Sequence, residues 1–258
     1  MSLIGLQVEQ FRCLEKVGLS FDPHYNLFVG ANASGKTSLL EALFFLGRGR
    51  SFRTRRLERL IRSGQPEFTL VGRVARSGRE TVLGVRGTRR ATEIRVGGAA
   101  ATSAADLAEH FPPQIIDPEV HKLLEEGPGR RRRFLDWGVF HVEQAFMGAW
   151  QRYHRALRQR NAALRVSGSQ QLANAWSAEL VSAGEELAEM RAGYLKALAE
   201  PLAEIGRLLL GLDVTLGYHR GWPADVGLGE ALGQAVERDR RYGVTHVGPH
   251  RADVVARV

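Results

Sequence analysis

Residues 30–37 read Gly-Ala-Asn-Ala-Ser-Gly-Lys-Thr and match the spacing G-x-x-x-x-G-K-[ST]. A loop of this pattern wraps a triphosphate. Its backbone N–H groups cradle the phosphates, its lysine reaches the β- and γ-phosphates, and the hydroxyl that follows holds Mg²⁺. The chemistry indicated is Mg²⁺-dependent binding of a nucleoside triphosphate. The contacting set is Gly30, Ala31, Asn32, Ala33, Ser34, Gly35, Lys36, Thr37 and Ser38, with Thr37 directed at the metal. Gly30 and Gly35 allow the backbone to approach phosphate closely. Asn32 either packs its amide within the loop or near the γ-phosphate, or serves as a turn residue tolerant of left-handed backbone.

Arginines supply a second candidate. Arg48, Arg50, Arg53, Arg55, Arg56, Arg59 and Arg62 put seven positive charges into 15 residues, offset only by Glu58. Such density repels itself unless an anion is present. If duplex DNA is that anion, each phosphate neutralised adds about 0.9 to the salt slope. No base-reading pattern is visible, so contact would be with the backbone. The alternative is a solvated helix face. A second cluster, Arg130 to Arg133, follows Gly127-Pro128-Gly129. At a helix start these charges oppose the macrodipole, so an outside anion or an acidic partner must compensate. Phe134 and Trp137 beside them read as core. His250 and Arg251 sit in a Gly-Pro turn; Asp253 could orient His250 as a base, or His250 could satisfy backbone groups at a strand start. The 8 histidines and 1 cysteine show no metal-ligand spacing.

These residues need elements to hold them. Tyr25-Asn26-Leu27-Phe28-Val29 is a β-rich run before the phosphate loop, and 38–46 has helix formers at apolar spacing after it. That helix would aim its free N–H groups and dipole at the phosphates. Period-two alternation predicts strands over 4–11 and 17–21, and a meander over 68–74, 81–85 and 92–96. A short helix is expected over 103–110, stopped at Phe111-Pro112-Pro113, then a short buried strand Gln114-Ile115-Ile116. From Glu119 the texture turns helical. Phe146, Trp150, Tyr153 and Leu157, and then Leu172, Trp176, Leu180, Leu187, Met190, Tyr194 and Ile205, recur at helical spacing, joined by a turn at 166–169. This reads as a helical lobe inserted into an α/β domain. Strand texture returns over 213–218, helix over 230–240, and a strand begins at 254.

Bulk properties narrow the class. A chain of 258 residues forms one large domain or two smaller ones. No run of about 18 apolar residues is present, hence no membrane-spanning helix is expected. The N-terminus lacks a basic segment followed by an apolar core, and the lone Cys13 excludes an internal disulfide. Together these point to the cytoplasm and away from a membrane. Net charge is +8 and pI about 10.2, with 32 of the 36 basic residues arginine. Such a chain favours polyanions, although a basic surface can also serve solubility. An apolar strand ending in Asp, needed with the phosphate loop for hydrolysis, is not found. Leu208-Leu209-Leu210-Gly211-Leu212-Asp213 is nearest and continues a helical stripe, so the chain reads as the front part of a longer protein.

Several stretches resemble one family, the RecF proteins of bacterial recombination and repair, related to structural-maintenance-of-chromosomes heads in the ABC-type ATPase class. The stretches are Phe11-Arg12 with the phosphate loop and Leu39-Leu40-Glu41-Ala42; residues 46–53; Arg132-Arg133-Phe134-Leu135-Asp136-Trp137 with 159–165; and Val247-Gly248-Pro249-His250-Arg251-Ala252-Asp253. The resemblance implies an α/β fold: an ABC-type ATPase head, a mixed sheet plus an antiparallel meander, carrying a helical arm. Residues 1–118 and 212–258 would form the head and 119–211 the arm. It implies binding of ATP with Mg²⁺, of double-stranded DNA and single-/double-strand junctions, ATP-dependent homodimerisation, and action with RecO and RecR in loading RecA. The activity implied is a weak, DNA-stimulated ATPase whose signature and acidic strand would lie beyond Val258. It implies that Gln114 senses Mg²⁺ and γ-phosphate and that Arg12 touches nucleotide phosphate. The family loop has Gly where Ala33 stands, so Ala33 either crowds the phosphate or sits at α-compatible dihedrals. A nucleotide-gated scaffold without DNA binding and a small-molecule kinase are the alternatives.

Overall fold

The computed structural model describes residues 1–101, 103–166 and 174–258, which divide into two compact units, Met1–Asp117 and Pro118–Val258. In the first, strands β1 (Ser2–Phe11), β2 (Leu14–Ser20), β3 (Glu67–Arg76), β4 (Arg79–Thr88), β5 (Thr92–Val96) and β6 (Ala99–Ala100) form one sheet in the order β2-β1-β3-β4-β5-β6. Every pairing is antiparallel. The period-two alternation drives this, because it places Leu6 and Val8 of β1, and Phe68, Leu70 and Val74 of β3, in the core. Helices α1 (Lys36–Arg48) and α2 (Ala104–His110) share that core. Phe11, Phe45 and Phe68 meet edge to face at 5.0–6.4 Å, a geometry that suits the ring quadrupoles. Gly72 of β3 lies beneath Leu46, where any Cβ would sit 2.2 Å from Leu46 Cδ2. A capping box, Ser103 with Asp106, starts α2.

Two expected strands are absent. Residues 25–29 form no ladder, and Tyr25, Leu27 and Val29 are more than four-fifths exposed. Strand propensity there meets no neighbouring strand among the described residues, and a strand exists only by pairing. Residues 114–116 also lack a ladder; Gln114 and Ile116 face outward instead of into a core. Pro112 and Pro113 remove two donors. What holds this stretch is close packing on α1 at Gly47, where an added Cβ would lie 2.2 Å from Phe111 O and Pro113 Cδ. The expected mixed sheet is thus present among the described residues as antiparallel strands.

In the second unit, α3 (Lys122–Glu125), α4 (Pro128–Val142), α5 (Phe146–Leu164) and α6 (Ser177–Leu210) precede β7 (Thr215–His219), α7 (Leu228–Gln234), α8 (Val236–Tyr242) and β8 (Asp253–Arg257). β7 and β8 pair antiparallel. One core joins Leu135, Phe146, Tyr153, Leu180 and Leu187 to Trp222, Leu228 and Leu232. Residues 212–258, grouped with the phosphate-loop unit in the sequence reading, therefore pack with the helices. Helix 230–240 is broken at Ala235 into α7 and α8. Phe134 is 48% exposed, because the buried stripe of α4 runs through Leu135 and Val139, an i,i+4 pair that turns Phe134 outward. Ile205 is also exposed. The turn at 167–169 and Leu172 lie outside the described residues. Among the described residues, no helix is long and apolar enough to cross a membrane.

Candidate nucleotide site and arginine segment

The phosphate loop opens directly into α1. Gly35 is the N-cap, left-handed at φ 95°, with no side-chain cap and no acidic residue in the first turn. The ladder begins at Leu39 N–H to Gly35 O, 2.9 Å, so the amides of Lys36, Thr37 and Ser38 precede it. Helix dipole and open N–H groups together favour an anion here. Lys36 folds back over the loop, and its Nζ donates to Gly30 O at 2.7 Å and Ala31 O at 2.8 Å. Its third proton remains for an outside acceptor. Thr37 is exposed, whereas Ser38 is buried and its hydroxyl accepts from the Cys13 thiol at 3.3 Å. Ser38 can therefore meet a ligand through its backbone only. Thr37, beside an uncapped and acid-free helix start, suits a Mg²⁺ carried in with a triphosphate.

Ala33 has φ 65°. It is the left-handed turn residue, a role the sequence allowed for Asn32, and it does not sit at ordinary helical dihedrals. Asn32 is exposed and makes no hydrogen bond among the described residues. A left-handed alanine costs about 1–2 kcal/mol, partly offset by the lower unfolded-chain freedom of alanine. Ala33→Gly is expected to raise ligand affinity or thermal stability by about 1 kcal/mol, seen as roughly fivefold tighter ATP binding in calorimetry or a higher melting temperature; no gain in either would contradict the strain.

Arg12, expected at a nucleotide phosphate, is engaged within the chain. Its guanidinium forks onto Glu41 of α1, Nε to Oε2 at 2.9 Å and Nη2 to Oε1 at 2.7 Å. The Glu41 side chain is fully buried, and it also accepts from Ser51 Oγ and, at 3.3 Å, from Arg53 Nη1. Sequence reasoning gave Glu41 no role of its own. The available signal was a carboxylate inside the apolar stripe Leu39-Leu40-Glu41-Ala42, since buried charges need partners.

Arg48 ends α1, and beyond it the arginine segment is irregular apart from a 3₁₀ turn at Leu57–Arg59, so it is not a helix face. Its members differ. Arg48 is half-buried over the Phe44 ring, and burial first, then the Arg50 charge, lowers it to about 10. Arg53 pairs with Glu41, and Arg62 with Glu15 and Cys13 O. Arg50, Arg55, Arg56 and Arg59 are exposed and, among the described residues, make no ion pair. These four are the cations open to a polyanion. Gln114 is exposed and makes no hydrogen bond among the described residues.

In the second unit three of the four arginines at 130–133, and much of the 245–253 run, find partners within the chain. Arg131 forks onto Asp253 at 2.8 and 3.0 Å, Arg130 reaches Glu126, and Arg132 donates to Ala252 O. Acidic partners thus meet Arg130 and Arg131, Arg132 finds a carbonyl, and Arg133 is exposed with no ion pair among the described residues. His250 Nε2 lies 2.9 Å from Thr245 O, which can only accept, so Nε2 carries the proton and Tyr153 donates to Nδ1 at 2.6 Å. Asp253 is held by Arg131, so no His250–Asp253 dyad forms. Arg160 bridges Asp239 and Thr245, and Asn161 accepts from Thr245. This network ties residues 159–165 to the 245–253 run.

Burial lowers His250 to about 4, despite its bond to Thr245. A depressed histidine binds fewer protons folded than unfolded, so its stability contribution is full above about pH 6.5 and is lost as pH falls toward 4. The unit should lose on the order of 3 kcal/mol over that window. Urea unfolding at pH 7 and pH 5 checks this, and His250→Gln should flatten the difference.

Comparison with known proteins agrees with this geometry. Residues 2–192 match the model described as the RecF/RecN/SMC N terminal domain. The DNA replication and repair protein RecF of Pseudomonas fluorescens is 46% identical over 264 residues, covering 100% of this chain and 71% of the relative. The chain belongs to the RecF family. The RecF of Mannheimia succiniciproducens is 42% identical over 98% of this chain and 71% of its own length. Two solved structures of the recombination mediator protein RecF in the RecFOR pathway, RecF-ATPrS and RecF-ATP, superpose with TM-scores of 0.88 and 0.89 at 27% and 26% identity. Each covers 99% of this chain and 73% of the other. The fold is therefore that of a RecF/SMC-type ATPase head with its helical lobe.

Proposed function

We propose that this RecF-family chain is a DNA repair protein that binds ATP with Mg²⁺ at residues 30–38 and grips DNA through its arginine segment. The observation that carries the reading is Lys36 arched over a loop whose helix start has neither cap nor acid. Lys36 donates to the terminal phosphates, the amides of 35–38 to the inner ones, and the Thr37 hydroxyl holds Mg²⁺. Gln114 acts as the Mg²⁺ and γ-phosphate sensor by moving in from its exposed position. ATP closes a homodimer, and Arg50, Arg55, Arg56 and Arg59 then contact phosphates of duplex DNA at gaps and junctions. RecO and RecR are the partners, RecA the protein loaded, and the cytoplasm the compartment. The unpaired state of those four arginines favours DNA over a scaffold role, because a segment used only for protein contact has no need of four uncompensated cations.

Fluorescence anisotropy with a 30-base-pair duplex tests the reading. Affinity should rise with ATP and fall steeply with salt. A salt-insensitive affinity with no response to ATP would hand the case to the scaffold, and phosphoryl transfer to a small acceptor would indicate a kinase.

A further inference from the structure

Glu41 stands where three parts of the first unit meet. It is on α1, one turn beyond Ser38 and so on the face that carries the end of the phosphate loop. Its two oxygens accept four hydrogen bonds: Arg12 Nε and Nη2, Ser51 Oγ and Arg53 Nη1. The side chain has no exposure to water. Arg12 belongs to the turn after β1, which lies against the loop: Cys13 reaches Ser38, and a Cβ at Gly35 would lie 3.0 Å from Leu14 Cδ2. Ser51 follows Arg50 directly in the arginine segment, and its hydroxyl also accepts from the amides of Arg53 and Thr54. The far end of that segment is stitched to the same turn, by Arg12 N to Leu60 O at 2.7 Å and Arg62 N to Gln10 O at 2.8 Å. Gln10 and Arg12 are both left-handed, at φ 55°. Strained backbone of this kind persists only where its surroundings hold it.

The stretch from Ser51 to Arg62, with Arg50 directly before it, is thus clamped at both ends to a turn that packs on the nucleotide loop, and one buried carboxylate closes the clamp. We propose that Glu41 is the positioning residue through which occupancy of the phosphate loop sets the reach of Arg50, Arg55, Arg56 and Arg59 toward DNA. Motion of the loop or the start of α1 moves Glu41 with it, because they share one helix. Arg12, Ser51 and Arg53 must follow, since leaving a buried carboxylate without its donors is costly. The coupling is reciprocal, so DNA tightens ATP binding by the factor by which ATP tightens DNA binding.

This inference rests on the proposed function, and its test separates the two. Duplex affinity is measured by anisotropy with and without ATPγS and Mg²⁺, and ATPγS affinity by calorimetry with and without duplex. In the unaltered protein both ratios should exceed about fivefold. In Glu41→Gln both should fall below twofold, while ATPγS affinity without DNA stays within about threefold. A general structural role would weaken binding but leave the ratios in place. If Glu41→Gln does not fold, as a melting curve will show, the double variant Ser51→Ala/Arg53→Gln decides. Both residues lie at the partly exposed end of the clamp, and the ratios should fall at least by half. Ratios unchanged in whichever variant folds would overturn the role of Glu41 and leave the proposed function standing. An unaltered protein with ratios of one would sink both.

Discussion

Lys36→Ala is expected to abolish measurable ATP binding. The side chain makes two hydrogen bonds to the loop's own carbonyls, at 2.7 and 2.8 Å, and keeps one proton for phosphate. Removing it deletes a cation from a site that collects several phosphate charges. It also leaves Gly30 O and Ala31 O without the donor that shapes the loop. Loss of a charge-assisted bond of this type costs about 3 kcal/mol, or roughly a hundredfold in affinity. Equilibrium dialysis with labelled ATP measures it. The fold should be untouched, since the hydrogen bonds of the Lys36 side chain go to the loop's own carbonyls. Retained affinity would remove the loop from the account.

The second large effect concerns the four open arginines. Changing Arg50, Arg55, Arg56 and Arg59 together to Gln should flatten the salt dependence of duplex binding by about 0.9 for each, about 3.6 in all if each meets a phosphate. Affinity near 0.1 M salt should drop on the order of a hundredfold or more. None of the four is in an ion pair among the described residues, so stability should change by less than about 0.5 kcal/mol per site. Changing Arg48, Arg53 and Arg62 instead should cost stability and leave most of the slope. A slope unmoved by the first set would place the DNA contact elsewhere.

This division among seven neighbouring arginines could not be read from the sequence. Charge density marked the segment, but pairing depends on where Glu41 and Glu15 arrive in space. The same limit applies to Arg12, whose fork onto a carboxylate 29 positions away no local pattern announces. The loop and the helix it opens into were legible because the pattern is local: glycines, lysine and hydroxyl stand within a few residues of one helix start. The meander was legible through alternation, which burial on one sheet face enforces. Residues 25–29 and 114–116 were misread because strand propensity says nothing about whether a partner strand exists. The 245–253 run misled differently. Its histidine and aspartate look like a dyad three positions apart, yet Tyr153 and Arg131 claim them from other helices. Ala33 was visible as a departure from the family loop, but only its φ of 65° shows the cost.

Amide hydrogen exchange across residues 30–39, with and without ATP and Mg²⁺, bears most directly on nucleotide binding at this loop. Added nucleotide should slow exchange at the amides from Ser34 to Ser38, which precede the helix ladder or serve its start, and the slowing should vanish in Lys36→Ala. Exchange there that ignores nucleotide, while protection appears elsewhere in the chain, would contradict the assignment.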